Sequence, residues 1–184
     1  LRLDPLALTK LTDDGECYVQ IPEALFDLDC PGHYFRRLKG VAVTVACVSG
    51  PHAQVNVELM LHGSSVRTST SGSLEEDART YPAVVTSAAT QDAGLFQSDM
   101  NDPRYLPFER KGAVSLWRIR FSNRQMPQFD WSSVTDVVLH LQYTARDGGD
   151  AYRSDVLSTL DDDLNAIEGG FVAGDQAPSS NSPI

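Results

Sequence analysis

Basic side chains are scarce in this sequence. Its 184 residues carry 15 Lys and Arg against 25 Asp and Glu, a formal charge of −10. That deficit excludes a nucleic-acid binder, which neutralises phosphates with clustered Lys and Arg, and argues against an anionic membrane surface. Cysteine is also scarce. Cys17, Cys30 and Cys47 form no C-x-x-C pair, which excludes a zinc ribbon and a thioredoxin motif. Cys47 lies in the apolar run 41–48 and reads as a small buried hydrophobe. A Cys17–Cys30 bridge stays open, although free thiols in a reducing compartment fit better. No run approaches the ~18 apolar residues of a membrane span, so direct membrane insertion by this domain is not expected. No signal peptide opens the sequence, and a start at Leu1 reads as an excised fragment.

Catalytic signatures are missing too. There is no G-x-S-x-G elbow and no Gly-rich phosphate loop. The run Asp161 to Asp163 lacks the glycine and terminal glutamate of a calcium loop. Of the four histidines, His33, His52, His62 and His140, His62 and His140 stand beside apolar strand residues and read as structural. His52 and His62 lie too far apart for common zinc-ligand spacing. Glu58, Asp92, Asp99, Asp102 and Glu109 are the carboxylates a glycoside hydrolase could use, but acids are expected in the loops of an acidic chain. The expectation is a protein that is not an enzyme and holds no metal or cofactor.

What the sequence does contain is alternation. Residues 16–21, 39–48, 54–61, 113–121 and 137–144 read as strands, with shorter ones at 65–68 and 84–86. In 54–61, Val55, Val57, Leu59 and Leu61 alternate with Gln54, Asn56, Glu58 and Met60, so one face is buried and the other mostly wet. The opening stretch 1–11, with Pro5 in mixed spacing, reads as extended, and 23–28 as one helical turn. Residues 64–76 read as a mobile Ser/Thr/Gly-rich loop around the 65–68 strand. Tyr152, Val156, Leu160, Leu164 and Ile167 recur at spacings of four and three, a helical stripe that Gly169-Gly170 would end. Short strands between Gly/Pro/Asp turns predict a mainly β fold, an antiparallel β-sandwich with one short C-terminal helix. The implied organisation is a sandwich over 1–149, a helix over 150–169 and a flexible tail over 170–184.

The loop 88–112 holds Leu95, Phe96, Tyr105, Leu106 and Phe108. So many large apolar groups must pack or bind something. Phe108 and Trp117 read as core. Phe96, Tyr105 and Trp131 could anchor a protein interface or stack on sugar rings, so a carbohydrate-binding sandwich is the alternative to a docking module.

Several stretches, taken in order, resemble a known family. They are Leu3-Asp-Pro-Leu-Ala-Leu8, the strand 17–22, Phe26-Asp-Leu-Asp-Cys-Pro-Gly-His-Tyr-Phe-Arg-Arg-Leu-Lys39 and Gln91-Asp-Ala-Gly-Leu-Phe96. Asp102-Pro-Arg-Tyr-Leu-Pro-Phe-Glu109, then Gly112 with Trp117-Arg118, then Phe129-Asp130 and the run 134–149 follow. Together they are similar to the C-terminal TcB-binding domain of the A component (TcA) of bacterial Tc insecticidal toxins. The stretch after Gly149 departs from that family's ending. The resemblance implies a non-catalytic domain of a secreted or cell-surface-associated, homopentameric injection device. It would dock the β-propeller of a TcB-type partner and so assemble the holotoxin for toxin translocation. Within such a domain, loop character singles out Asp92, Phe96, Asp102, Arg104 and Tyr105 as partner-binding residues.

Overall fold

A computed structural model describes residues 5–47, 56–76, 83–86, 95–99, 108–122 and 130–173. Two antiparallel sheets pack over one core. The larger comprises β1 (Glu16–Ile21), β7 (Val114–Phe121), β3 (Val57–Arg67) and β4 (Leu74–Glu76) in that order, with β5 (Ala83–Thr86) also pairing β3. The smaller has the order β6 (Leu95–Asp99), β2 (His33–Ala46), β8 (Asp136–Asp147). The mainly β, antiparallel class expected from alternation is the class observed.

Period-2 patterning decides which side chains meet. Val57, Leu59 and Leu61 of β3 face Trp117, Ile119 and Phe121 of β7 in register, all buried. Val41, Val43 and Val45 of β2 close the core from the other sheet, with Val137, Leu139, Leu141 and Tyr143 of β8 packed partly against it. Trp117 and Leu59 are fully covered, and Phe108 meets the Trp117 ring edge-on at 4.9 Å. The core assignment of Phe108 and Trp117 therefore holds.

Three local readings change. Residues 5–14 form a helix, α1 (Pro5–Asp14), where an extended approach was expected. Pro5 takes the first helical position, whose N–H has no partner in any helix. Ala7 and Leu11, one turn apart, are buried. Gly15, at φ +85°, ends the helix by donating to the Leu11 carbonyl. Residues 64–76 are not one loop. β3 runs on to Arg67 through a bulge between Leu61 and Gly63, and β4 pairs back onto Ser65–Arg67. The extra bulge residue shifts the alternation by one, so Ser64 is buried where the pattern would have exposed it. The loop 88–112 contains β6, paired along Ala42–Ala46.

The short helix expected over 23–28 is α2 (Glu23–Asp29). The C-terminal helix is not short. α3 (Gly149–Ala173) spans 25 residues and passes through Gly169-Gly170, because an interior glycine costs only about 1 kcal/mol and does not by itself stop a helix. Its stripe is half-buried at Tyr152, Val156 and Leu160, but Leu164 is 54% exposed. Its first turns rest on the sandwich through Tyr152 against Tyr34 at 6.1 Å and through contacts with α2. The expected tail from 174 onward lies outside the described residues.

Candidate functional site

The charged side chains show what kind of chemistry is open to this domain. Arg36 is 3% exposed and reaches Asp27 at 2.6 Å, Glu23 at 3.5 Å and the Cys30 carbonyl at 3.4 Å. Arg67 comes from β3 to the other Glu23 oxygen at 2.7 Å. Two arginines thus share two carboxylates where α2 meets both sheets. Burial pushes the Asp27 carboxyl above its usual range even though Arg36 pulls it down. The hydrogen bonds that Arg67 donates to the Glu23 carboxylate hold the guanidinium proton more tightly than usual. On the larger sheet, Arg118 pairs Glu16 across β1 and β7, and Arg120 pairs Glu58 at 2.7 Å.

Several of the residues weighed for chemistry have structural partners. Glu58, the strand carboxylate weighed for glycoside hydrolysis, is committed to Arg120. His140 Nε2 lies 2.9 Å from Thr44 Oγ1, and His62 packs edge-on to Tyr18 at 5.6 Å, so both are satisfied structurally. Cys17, Cys30 and Cys47 are free thiols, and burial raises the Cys47 pKa, which makes it a poor nucleophile. Among the described residues no three His, Cys, Asp or Glu side chains stand close enough to hold a metal ion. None of the described helices is long and apolar enough to cross a membrane.

Of the five residues singled out for partner binding, Phe96 lies on β6 opposite Val45. That places it on an edge strand of the smaller sheet, not at a free loop tip. Asp92, Asp102, Arg104 and Tyr105 lie outside the described residues. Trp131 packs on Phe121 at 4.7 Å and Phe108 on Trp117, so two of the loop-region aromatics belong to the core side. The corner where β2 meets the turn 108–113 escaped the sequence reading. There Arg37 donates to the Arg110 carbonyl at 3.0 Å and its guanidinium lies 4.5 Å from the Phe35 ring centre. Arg146 from β8 covers the same ring at 4.2 Å. The available signal was the Phe35-Arg36-Arg37 triplet, but alternation alone does not say which arginine is buried.

Arg36, Arg67, Arg118 and Arg120 are thus each tied to a carboxylate of the scaffold. Comparison with known proteins places this scaffold in a family. Residues 1–145 match the family described as the Tc toxin complex TcA C-terminal TcB-binding domain. Toxin subunit YenA2 of Yersinia entomophaga is 29% identical over 178 residues, a match covering 85% of this chain and 12% of YenA2. Among solved structures, Yersinia pseudotuberculosis TcaA-TcaB is 27% identical, with 71% of this chain and 7% of that one covered and a TM-score of 0.48. Morganella morganii TcdA4 is 25% identical over 74% of this chain and 6% of that one, with a TM-score of 0.42. The chain thus spans about an eighth of the length of the curated relative it matches. With the family matching well over half its length, the chain belongs to the TcA C-terminal TcB-binding domains.

Proposed function

We propose that this domain is the docking platform of a Tc toxin A subunit, holding the β-propeller of a TcB-type component without bond-making chemistry of its own. The observation that carries the reading is the family match over residues 1–145, nearly the whole sandwich. The paired arginines and carboxylates support it, because a domain whose Glu16, Glu23, Asp27 and Glu58 are tied up in ion pairs offers shape and polarity there in place of reactive groups. In the parent protein, secreted or held at the bacterial surface, five copies would form a ring. Repetition then multiplies contacts that are weak singly. Asp92, Phe96, Asp102, Arg104 and Tyr105 are proposed to contact the partner.

The test is binding of the full-length A subunit to its B component by interferometry. Native protein is expected to bind, and the double variant Phe96→Ala/Tyr105→Ala to bind at least about tenfold more weakly with its thermal midpoint retained, as for truncation of aromatic anchors. No binding by the native A subunit refutes the docking function. A carbohydrate-binding sandwich is the less favoured reading, since the matching family is a TcB-binding domain and Trp131, one of the aromatics weighed for sugar stacking, packs on Phe121.

A further inference from the structure

The outer face of the smaller sheet has an unusual charge for this chain. On β8, Val138, His140, Gln142, Thr144 and Arg146 alternate outward and are exposed. On β2 the same face carries Arg37, Ala42, Thr44 and Ala46, as the pairing of Arg37 with Thr144 and of Ala42 with His140 shows, with Phe35 and Lys39 at the two bulges beside Arg37. The acids that register brings to this face, Asp136 opposite Ala46 and Asp99 opposite Ala42, stand toward its far end, so the end around Arg37, Lys39 and Arg146 is basic in a chain whose formal charge is −10. Elsewhere Arg36, Arg67, Arg118 and Arg120 each meet a carboxylate. Arg37, Lys39 and Arg146 meet none among the described residues; the two arginines instead lie over the Phe35 ring. The turn 108–113 lies alongside and adds Arg110, together with one acid, Glu109.

This corner is held rigidly. Phe35 and Arg110 both have left-handed backbones, at φ +54° and +68°, although neither is glycine. Such conformations persist only where the surroundings enforce them, and they gather at binding and active sites. Here the turn is clamped to β2 by three backbone hydrogen bonds: Leu38 to Lys111, Arg110 to Leu38 and Ala113 to Arg36. Arg37 is held in this corner by its bond to the Arg110 carbonyl, and the exposed Arg146 and Lys39 beside it are the cations that can meet a carboxylate.

We propose that the outer face of β2 and β8, centred on Arg37, Phe35 and Arg146, receives a carboxylate-bearing surface of the B component. This deepens the docking function and rests on it. The rest of an acidic domain repels an acidic partner, so this patch sets the orientation in which the partner lands. Because the contact is electrostatic, it acts chiefly on association rate and its salt dependence. Leu95–Asp99 lies along the other edge of β2.

The experiment measures association of the full-length A subunit with its B component at about 0.01 M and about 0.15 M salt, where screening differs strongly. The variants are Lys39→Glu/Arg146→Glu, the milder Lys39→Gln/Arg146→Gln, and Lys10→Glu on the exposed side of α1 as control. At low salt the reversed pair should associate at least about tenfold more slowly and lose most of the native salt dependence. The glutamine pair should slow about threefold, and Lys10→Glu should stay within about twofold. If the reversed pair fails to fold, the glutamine pair decides. Native binding with unchanged rates and salt slopes in a folded pair overturns this proposal while leaving the docking function standing. Absence of native binding removes both. Capture of the native protein by phosphatidylserine vesicles, lost in the pair while binding to the B component is unchanged, overturns it in favour of a lipid surface.

Discussion

Replacing Arg36 by methionine tests the electrostatics that seat α2 on the sandwich. Methionine keeps an unbranched stem beside Phe26, whose ring lies 5.7 Å from the guanidinium carbon, and removes only the charge. Glu23 retains Arg67 at 2.7 Å. Asp27 loses its 2.6 Å partner while staying largely out of water, with 13% of its side chain exposed. An uncompensated buried charge of this kind costs about 3–5 kcal/mol. With a urea slope of about 2.5 kcal/mol/M, plausible for a domain of this size, the unfolding midpoint should fall by about 1–2 M at neutral pH.

The pH dependence of that loss distinguishes an electrostatic cause from simple packing. Burial already raises the folded-state Asp27 pKa above its ordinary 3.8, against the downward pull of Arg36. A carboxyl with a raised folded pKa favours folding below its unfolded pKa, and that advantage is lost as pH rises through the folded value. Removing Arg36 removes the downward pull, so the Asp27 pKa climbs further and the neutral-pH penalty grows. On acidification to about pH 4 Asp27 takes up a proton, and the deficit of the variant should shrink by at least about 1 kcal/mol. Adding Asp27→Asn should recover much of the loss at pH 7 and little at pH 4. Equal losses at both pH values, or a neutral-pH loss below about 1 kcal/mol, would refute the reasoning.

Two further stability predictions concern the framework behind the proposed face. A Cβ built on Gly112 would lie 2.0 Å from the Ser65 carbonyl oxygen and 2.4 Å from its carbon. These are backbone atoms of β3 and cannot swing aside, so Gly112→Ala should cost about 3 kcal/mol and lower the thermal midpoint by about 6–12 °C; a calorimetric shift under about 2 °C contradicts it. In the core, the Trp117 indole donates to Ser115 Oγ at 2.8 Å, and that hydroxyl donates to the Ala113 carbonyl at 2.8 Å. Ser115→Ala strands a buried indole N–H and should cost about 1–3 kcal/mol, whereas Ser115→Thr, which keeps the hydroxyl, should retain part of it in urea titrations.

The sheets were legible because their apolar residues alternate without interruption: Val57, Leu59 and Leu61 could face only one way. Legibility failed where a second effect was superimposed on alternation. α1 was hidden because Leu1 and Leu3 precede Pro5 and blur the four-residue spacing of Ala7 and Leu11. The bulge at Gly63 hid the far half of β3, and two bulges in β2, between Tyr34 and Arg37 and between Leu38 and Gly40, hid the difference between its arginines. Arg36 and Arg37 are neighbours of the same type, yet one is sealed against Asp27 and the other faces outward on Phe35. No propensity separates them, because the distinction arises from which sheet face each reaches once register is set by distant partners. The docking function was legible through ordered motifs of the whole domain, while the position of its contact surface depends on that register.

The same register gives the buried and the outward arginine linked roles. Arg36 anchors α2, and the next residue, Arg37, leaves the opposite face of the same strand. The Arg36 backbone carbonyl accepts from Ala113 at the foot of the turn whose Arg110 carbonyl receives Arg37. A change that loosens the buried cluster should therefore loosen the outward corner at Arg37, because both hang from one bulged segment of β2. The reverse need not hold. Arg146 and Lys39 are exposed side chains without carboxylate partners among the described residues, so altering them should cost little stability. Arg36→Met should accordingly impair both folding and docking, and Lys39→Gln/Arg146→Gln docking alone. Observing that asymmetry in one set of variants would separate the scaffold of this domain from the surface it carries.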